Sequence, residues 1–417
     1  MLNITIAALS AASTSGSALF TISRHATVSK SRFSRHFAPV IYTSKMQFTN
    51  LLVSHTMFSH TLKTAVVLNA GTEYDTTVFT STQTVKDSAA YGTSRFTGCF
   101  FTRCTSDKSG GGIRFGKYDT KVNKMVLEIS TCGFRNCESG DSGGAFYSEG
   151  GTFEIERSCI DSCRASSCSA FFELATSTCD AREIYVTNIA EQTSGGVCRF
   201  EGEKHRVKKF NISKISASSA KGAIDTSTEQ IEITEMYITM CKMAVVMNVA
   251  DEPDLIRYVN FVKNKGKESL IYVENSGVIF SECTFIKDES KKFVNMYTTF
   301  RNCIFSDPAD PAMFPNVYTP SCKFGAGWKT KNFDLFGSKL CWQLSSETPS
   351  KKPSKAPSED EEDPWMDEGD EDGSTAGVAV GVMAIIVVVG VVGFFAIRCL
   401  KGRGADQGKL LSMYAQV

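Results

Sequence analysis

The chain has 417 residues and 45 acidic and 45 basic side chains, so it carries no formal net charge. This balance, without a basic stripe interleaved with aromatic residues, gives no support to nucleic-acid binding. Of 15 cysteines, 14 precede a long apolar stretch near the C-terminus, an even number that is ordinary for an oxidised extracellular domain.

The N-terminal 20 residues make a poor signal peptide. No Lys or Arg precedes Arg24, and the apolar stretch 2–9 is interrupted by Asn3 and Thr5. Three interpretations stay open: a start that lies further upstream, a weak signal, or a tail-anchored protein whose large domain stays in the cytosol. The segment 16–20, GSALF, resembles one more corner of the repeat that follows.

An internal repeat is the main feature of the middle of the chain. CFFTRCTSDKSGGGI at 99–113 and CGFRNCESGDSGGAF at 132–146 align without gaps, 33 residues apart. Both contain Cys-x-Phe-x-x-Cys, then five residues, then two glycines, a small residue and an apolar one. Equivalent small or apolar residues recur about every 25 residues, at 38, 65, 90, 112, 145, 170, 197, 223, 244, 270 and 293. Such repetition predicts a stacked architecture.

Short β-branched and aromatic runs lie between these positions, such as VVL at 66–68 and IEITEMYIT at 231–239. They alternate like strands, and no convincing helical period precedes residue 300. The sequence therefore predicts an all-β fold: a right-handed parallel β-helix of about 11 coils of about 25 residues over residues 1–310. An antiparallel sandwich or a propeller is the alternative, although a propeller blade needs about 40 residues. The Gly-Gly-Ala position is expected at a tight corner, where a side chain would clash.

Stacking also gives the cysteines a geometric meaning. Cys99 and Cys132 would occupy equivalent positions in adjacent coils, as would Cys104 and Cys137. A coil spacing of about 4.8 Å falls within the Cα separation of a disulfide, about 4.4–6.8 Å. Disulfides between coils and a packing role for buried thiols both stay open. No metal site and no cofactor is predicted, because Cys-x-x-Cys is absent and the five histidines show no ligand spacing.

The glycine and phenylalanine motifs resemble the GGA[I/L/V] and FxxN repeats of chlamydial polymorphic membrane proteins. They occur as GGAF at 143–146 and GGVC at 195–198, and as FTRC at 101–104, FRNC at 134–137, FVKN at 261–264 and FRNC at 300–303. With Cys in place of Asn, and with a single apolar stretch followed by a short tail, the chain looks more like related surface proteins of trichomonad protists. The resemblance covers residues 30–310 and implies a parallel β-helix ectodomain with a role in adhesion.

Three segments follow the repeats. Residues 311–346 hold several prolines and are predicted to cap the last coil, because an open sheet edge invites aggregation. Cys322 and Cys341 lie in this cap and are candidates for a disulfide. Residues 347–375 pass from Ser, Pro and Lys to a run of acids, and are expected to form a disordered stalk.

Residues 376–397 form an uncharged apolar run of 22 residues. As a helix it would be about 33 Å long, enough to cross a hydrocarbon core of about 30 Å. Ten acids precede the run and four bases with one acid follow it, so the tail, residues 398–417, is predicted to be cytosolic. The chain is therefore expected to be a type I single-pass protein of the plasma membrane, whose partners are the membrane and an extracellular protein or glycan.

Two residues are candidates for modification. Asn211 lies in an Asn-x-Ser sequon and is the candidate for glycosylation. Cys399 lies at the predicted cytosolic boundary and is the candidate for palmitoylation, with an unmodified thiol as the alternative.

The tail contains two candidate sorting signals. Asp406, Leu410 and Leu411 fit the acidic dileucine pattern, and Tyr414 with Val417 fits the pattern YxxΦ. Both resemble signals that clathrin adaptors bind as extended peptides, so adaptor binding and endosomal cycling are expected. A passive polar tail is the alternative.

No catalytic set is apparent in the sequence. Parallel β-helices that cleave polysaccharides need acids that converge from neighbouring coils, and no such pair was found at equal register. Motifs of serine hydrolases, P-loop proteins and zinc proteases are also absent. The chain is expected to be a non-enzymatic adhesin or structural surface protein. A β-helical polysaccharide-cleaving or carbohydrate-binding protein, and a tail-anchored or endomembrane interaction protein, are the alternatives.

Overall fold

The protein is a parallel β-solenoid. The computed structural model describes residues 3–12, 18–21, 25–43, 50–68, 90–116, 123–189, 196–216, 222–242, 245–249, 255–266, 269–273, 278–295, 298–306, 317–319, 321–325, 327 and 329–333. Within these ranges the strands pair in parallel with strands of neighbouring coils, and no helix occurs. The predicted all-β parallel architecture is confirmed at this level, and the sandwich and propeller are excluded because they need antiparallel pairs. The number of coils stays a prediction.

The strands form three stacks, named here the first, second and third faces in the order in which the chain passes through them. The first face contains β1 (Asn3–Ala7), β4 (His25–Ser29), β7 (Asn50–Ser54), β10 (Ala90–Thr97), β14 (Asn123–Ser130), β18 (Thr152–Glu156), the middle of β21 (Phe171–Thr187), of β22 (Cys198–Ser213) and of β23 (Ile224–Thr239), the start of β25 (Leu255–Val262), then β27 (Ile279–Ser281), β30 (Thr298–Arg301) and β32 (Val317–Tyr318).

The second face contains β2 (Ser10–Ala12), β5 (Arg32–Ser34), β8 (Met57–Ser59), β11 (Phe100–Thr102), β15 (Gly133–Arg135), β19 (Cys159–Asp161), the ends of β21, β22, β23 and β25, then β28 (Thr284–Ile286), β31 (Ile304–Phe305) and β33 (Lys323–Phe324).

The third face contains β3 (Phe20–Thr21), β6 (Ile41–Thr43), β9 (Val66–Leu68), β13 (Ile113–Phe115), β17 (Phe146–Glu149), the starts of β21, β22 and β23, then β24 (Val245–Val249), β26 (Ser269–Val273) and β29 (Lys292–Val294). A separate small sheet joins β12 (Thr105–Ser106), β16 (Glu138–Ser142) and β20 (Arg164–Ser167).

In most of the described coils, two corners are each made by one residue in the left-handed conformation. Between the first and second faces, φ lies between +48° and +62° at Ala8, Lys30, His55, Gly98, Thr131, Arg157, Glu183, Lys209, Glu235, Tyr258, Glu282, Asn302 and Ser321. After the second face, φ lies between +52° and +58° at Arg35, His60, Arg103, Asn136, Ser162, Asn188, Lys214, Met240, Lys263 and Lys287. Cys-x-Phe-x-x-Cys therefore spans the second face: each cysteine follows a corner, and the Phe is the inward residue between them.

The Gly-Gly-Ala position forms the corner that enters the third face, as predicted. Gly143 has φ +70°, which favours glycine. A Cβ on Gly144 would lie 2.2 Å from the carbonyl oxygen of Ser169, and one on Gly111 would lie 2.3 Å from that of Gly144. Backbone from the next coil fills the space, so a side chain has no room.

The predicted register is correct at most of the repeat positions and wrong at two. Residues 65, 112, 145, 170, 197 and 223 each directly precede a strand of the third face, in register with one another. Ala90 instead begins β10 on the first face, opposite Asn123, and β9 pairs directly with β13. Val66 and Ile113 are 47 residues apart, so this coil is almost twice as long as the average repeat, and the regular spacing predicts one corner too many. Val40, two residues after Ala38, occupies the stacked position.

The described end of the segment 16–20, residues 18–20, leads into the third face, because β3 pairs with β6.

Stacked aromatic rings fill much of the interior of the second face. The ring centroids of Phe58, Phe101 and Phe134 follow one another at 4.9 and 4.8 Å with nearly parallel planes. A second stack runs from Phe261 through Phe285 to Phe305 at 4.6 and 4.8 Å. These spacings equal the coil spacing of a parallel sheet, about 4.8 Å, so one Phe per coil produces continuous stacking.

The segment predicted as a cap begins with two more strands of the solenoid, β32 and β33. Residues 329–333 lie against the outside of the second face. The backbone carbonyl oxygen of Lys331 accepts hydrogen bonds from the hydroxyl of Tyr237 at 3.0 Å and from the side-chain amide of Asn260 at 2.8 Å. Lys331 also pairs with Glu282 at 3.0 Å.

Among the described residues, none belongs to a helix with the length and apolar character needed to span a membrane. The predicted stalk (347–375), membrane helix (376–397) and tail (398–417) lie outside the described residues, and so do Cys341 and Cys399.

The corner at Thr131 makes the first prediction. This β-branched residue holds φ +56°, where the preceding coil has Gly98. Because left-handed backbone costs about 1–3 kcal/mol at a non-glycine residue, Thr131→Gly should raise the free energy of unfolding by about 1 kcal/mol after the entropy of glycine is subtracted. Denaturant unfolding measures the change. Ser130→Gly, in the adjoining strand, should lower it by about 0.5–1 kcal/mol. Equal destabilisation by both variants would contradict the assignment of strain to the corner.

Candidate functional site

The first cysteine stack has a structural explanation in the hydrogen bonds of the corner. The amide of Cys99 donates to Sγ of Cys132 at 3.4 Å, and the amide of Cys132 donates to Oγ of Ser158 at 3.2 Å. Both thiols also contact the carbonyl oxygen two residues earlier, that of Thr97 or Ser130. A short side chain with a polar tip therefore satisfies an amide that the corner takes out of the backbone ladder.

The second cysteine stack follows the other corner. The thiol of Cys137 lies 3.3 Å from the carbonyl oxygen of Phe101, and that of Cys104 lies 3.5 Å from the carbonyl oxygen of Phe58. Burial raises the pKa of both thiols well above its usual value, so they are poor nucleophiles. Cys163 continues the stack in the next coil.

The predicted stacking of Cys99 on Cys132 and of Cys104 on Cys137 is therefore confirmed. All four are present as buried thiols, and the disulfides stay a prediction. Cys322 lies half-buried below Cys303, with Sγ 3.3 Å from the carbonyl oxygen of Phe300, while its predicted partner Cys341 lies outside the described residues.

Asn211 lies on the second face, in register between Tyr185 and Tyr237. It is half-buried, with Phe210 and Ile212 on either side pointing into the core. Glycosylation at Asn211 stays a prediction. The sorting-signal residues Asp406, Leu410, Leu411, Tyr414 and Val417 and the palmitoylation candidate Cys399 lie outside the described residues.

A ladder of aromatic and charged side chains occupies the outer side of the third face, and we call it the outer strip. It consists of Arg114, Tyr147, Phe172, Arg199 and Asp225, which occupy one register position in successive coils. The rings of Tyr147 and Phe172 stack at 4.9 Å and 11°. The guanidinium of Arg114 lies 5.5 Å from the Tyr147 centroid, and that of Arg199 lies 5.7 Å from the Phe172 centroid. Along the strip, a cationic side chain is therefore followed by two aromatic rings and a second cationic side chain.

Acidic side chains balance the charge of the outer strip. Glu149 accepts a hydrogen bond from the hydroxyl of Tyr147 at 2.9 Å, and burial, with Glu149 nearby, raises the pKa of that phenol. Arg199 pairs with Glu201 and lies 3.6 Å from Asp225. Glu149 and Glu201 occupy one register position two coils apart, an alignment of acids that the sequence analysis did not find. Aromatic rings with ion-paired and hydrogen-bonded side chains at their edges are suited to recognition of a partly polar ligand.

A second cluster, Glu173, Cys179 and His205, lies inside the solenoid. Glu173 belongs to the third-face part of β21 and Cys179 to its first-face part, and His205 stacks on Cys179 from the next coil. All three are at most 2% exposed. Nε2 of His205 lies 2.7 Å from Oε2 of Glu173, and burial raises the pKa of both Glu173 and Cys179.

The sequence analysis missed this cluster because its members share no local motif. Cys179 and His205 are 26 residues apart, one coil step in this part of the chain, and Glu173 lies around a corner from Cys179. The separation of 26 residues between Cys179 and His205 could have indicated that the two are stacked. That inference would have required the correct register of the first face.

No protein-family model matches the chain, and no curated protein matches it either.

The cysteine stacks make the second prediction. The four stacked thiols are buried and held by hydrogen bonds, so they should resist alkylation in the folded protein. They should react after denaturation without reductant; the four are Cys99, Cys104, Cys132 and Cys137. Peptide mass spectrometry measures labelling at each position. A non-reducing peptide that joins consecutive repeats would instead establish the disulfide ladder.

Proposed function

We propose that the chain is a single-pass, membrane-anchored cell-surface protein whose β-solenoid ectodomain has an adhesive or structural role. The observation that carries this proposal is the contrast between a packed, mostly apolar interior and an outer face with a strip of aromatic and charged side chains. Apolar side chains and cysteines fill most of the bore, while the outer strip places the half-buried side chains of Tyr147, Phe172 and Arg199 side by side on one face, between the buried Arg114 and Asp225. A body of this kind offers its ligands an extended outer surface.

The anchoring part of the proposal rests on the sequence. A run of 22 uncharged apolar residues at 376–397, between ten acids and four bases, fits a membrane helix with the C-terminal tail in the cytosol. The proposal includes a right-handed solenoid of about 11 coils, the usual hand for parallel crossovers, and a stalk at 347–375. The resemblance to polymorphic membrane proteins and trichomonad surface proteins supports the same arrangement.

An extracellular protein or glycan is the proposed ligand of the outer strip. Aromatic rings and Arg are the residues that most often dominate the free energy of binding at interfaces. In this strip the rings of Tyr147 and Phe172 provide an apolar surface, and Arg199 with Glu201 provides hydrogen-bonding groups at its edge. No cofactor enters the proposal, and neither does catalysis.

The third prediction tests the ligand surface. Phe172→Ala should weaken attachment of the purified ectodomain to target cells or an immobilised glycan panel roughly tenfold or more, since it removes the central ring of the strip. Leu52→Ala is the matched control, because Leu52 is an exposed apolar residue on the first face. Equal loss in both variants would reject the strip as the binding surface. Polysaccharide cleavage that one acid substitution abolishes would favour the enzyme alternative.

Surface exposure of the whole ectodomain is tested separately. Antibodies against residues 100–300 should label unpermeabilised cells. Labelling only after permeabilisation would support the tail-anchored or endomembrane alternative.

The fourth prediction concerns the tail. Replacement of Leu410, Leu411 and Tyr414 by Ala should slow uptake of surface-labelled protein and increase its level at the cell surface, because apolar anchors of an adaptor-bound peptide are removed. Gln407→Ala, within the same tail but outside the anchor positions of both patterns, is the control. Unchanged internalisation in the triple variant would reject the sorting signals.

A further inference from the structure

The cluster inside the solenoid contains two buried polar atoms without a partner among the described residues. Oε1 of Glu173 and Nδ1 of His205 have no hydrogen-bond partner there, although Oε2 of Glu173 contacts Nε2 of His205. Each unsatisfied buried polar group costs about 1–3 kcal/mol. Hydrogen bonding within the pair therefore does not account for the retention of two ionisable side chains in a bore where most of the buried side chains are apolar.

The three side chains also converge. One donor atom from each of Glu173, Cys179 and His205 can be chosen such that all three lie within 4.8 Å of one another. The residues come from two successive coils, since Glu173 and Cys179 belong to β21 and His205 belongs to β22. The ring of Phe200 packs edge-on against His205 at 5.8 Å and shields the cluster on that side.

We propose that Glu173, Cys179 and His205 bind one zinc ion, which links two coils of the solenoid from the inside. Thiolate, imidazole and carboxylate are the ligands that proteins use for Zn²⁺, whereas Ca²⁺ takes six to eight oxygen ligands and Mg²⁺ takes an octahedral oxygen shell. One thiolate and one carboxylate neutralise the two positive charges of the ion. A neutral centre can be buried in an apolar bore, where an isolated ion would be strongly disfavoured.

Binding changes the protonation of the cluster but involves no redox step. Cys179 loses its thiol proton to solvent, Glu173 binds as the carboxylate and His205 binds through a neutral ring nitrogen. The zinc–sulfur, zinc–nitrogen and zinc–oxygen bonds take the place of the direct contact between Glu173 and His205, and they join the two coils in addition to the backbone ladder and packing. Three protein ligands leave the fourth tetrahedral position of the ion to one water molecule. Because the three side chains are closed off from solvent, the ion is structural in this proposal, and its binding free energy adds to the stability of the folded chain.

The experiment uses the full chain, purified in detergent and dialysed against metal-free buffer. Plasma mass spectrometry should find about one zinc per folded chain, the stoichiometry of a single site. Removal of zinc by a chelator should lower the melting temperature, and added zinc should restore it. Cobalt-substituted protein should show a thiolate-to-cobalt charge-transfer band in the near ultraviolet, which reports a sulfur ligand directly.

The matched variants are Cys179→Ser and Cys198→Ser. Both remove a buried thiol from the same region, but Cys198 begins the third-face part of β22 and lies outside the cluster. The band and the zinc should be lost in Cys179→Ser and retained in Cys198→Ser.

The proposal would be overturned if the folded wild-type chain contained no zinc even after refolding with the ion. It would also be overturned if Cys179→Ser retained zinc unchanged. If Cys179→Ser fails to fold, the cobalt spectrum of the wild-type chain still decides, because absence of the band excludes Cys179 as a ligand.

Discussion

The described part of this molecule depends on the in-register stacking of one coil on the next. Backbone hydrogen bonds between parallel strands fix the spacing at about 4.8 Å, so each residue lies against the residue at the same position in the neighbouring coil. Side chains must therefore suit their own counterparts. Stacked rings such as Phe101 on Phe134 gain from this repetition, and a glycine such as Gly144 is required where the next coil's carbonyl oxygen leaves no space.

The corners impose the second constraint. A single left-handed residue turns the chain between the first and second faces, and another turns it after the second face. Such a corner takes an amide out of the ladder, and where a Ser or Cys follows the corner in the next coil, its side chain accepts a hydrogen bond from that amide. Cys132 and Ser158 perform this task in successive coils. This gives the first cysteine of the repeat motif a structural role that does not require a disulfide.

The same stacking separates the chemistry of the bore from that of the outer faces. Inside, apolar residues dominate, so the pairing of Glu173 with His205 at 2.7 Å is an exception that needs a physical reason. Outside, successive coils align Arg114, Tyr147 and Phe172 into a continuous strip. Both features combine residues about one coil apart in sequence, and neither could form within a single coil.

Local patterns in the sequence determined the architecture. Short alternating runs, the repeated Cys-x-Phe-x-x-Cys and the small residues at 112 and 145 predicted a parallel stack, a tight corner and the pairing of Cys99 with Cys132 in adjacent coils. These features depend on one coil and its copy, which a sequence shows directly. The tertiary structure decided the exact register: Ala90 belongs to the first face because an insertion lengthens its coil. Register also decided the outer strip and the Glu173 cluster, since a side chain's neighbour is set by the number of residues in each coil, and insertions change that number without any local signal.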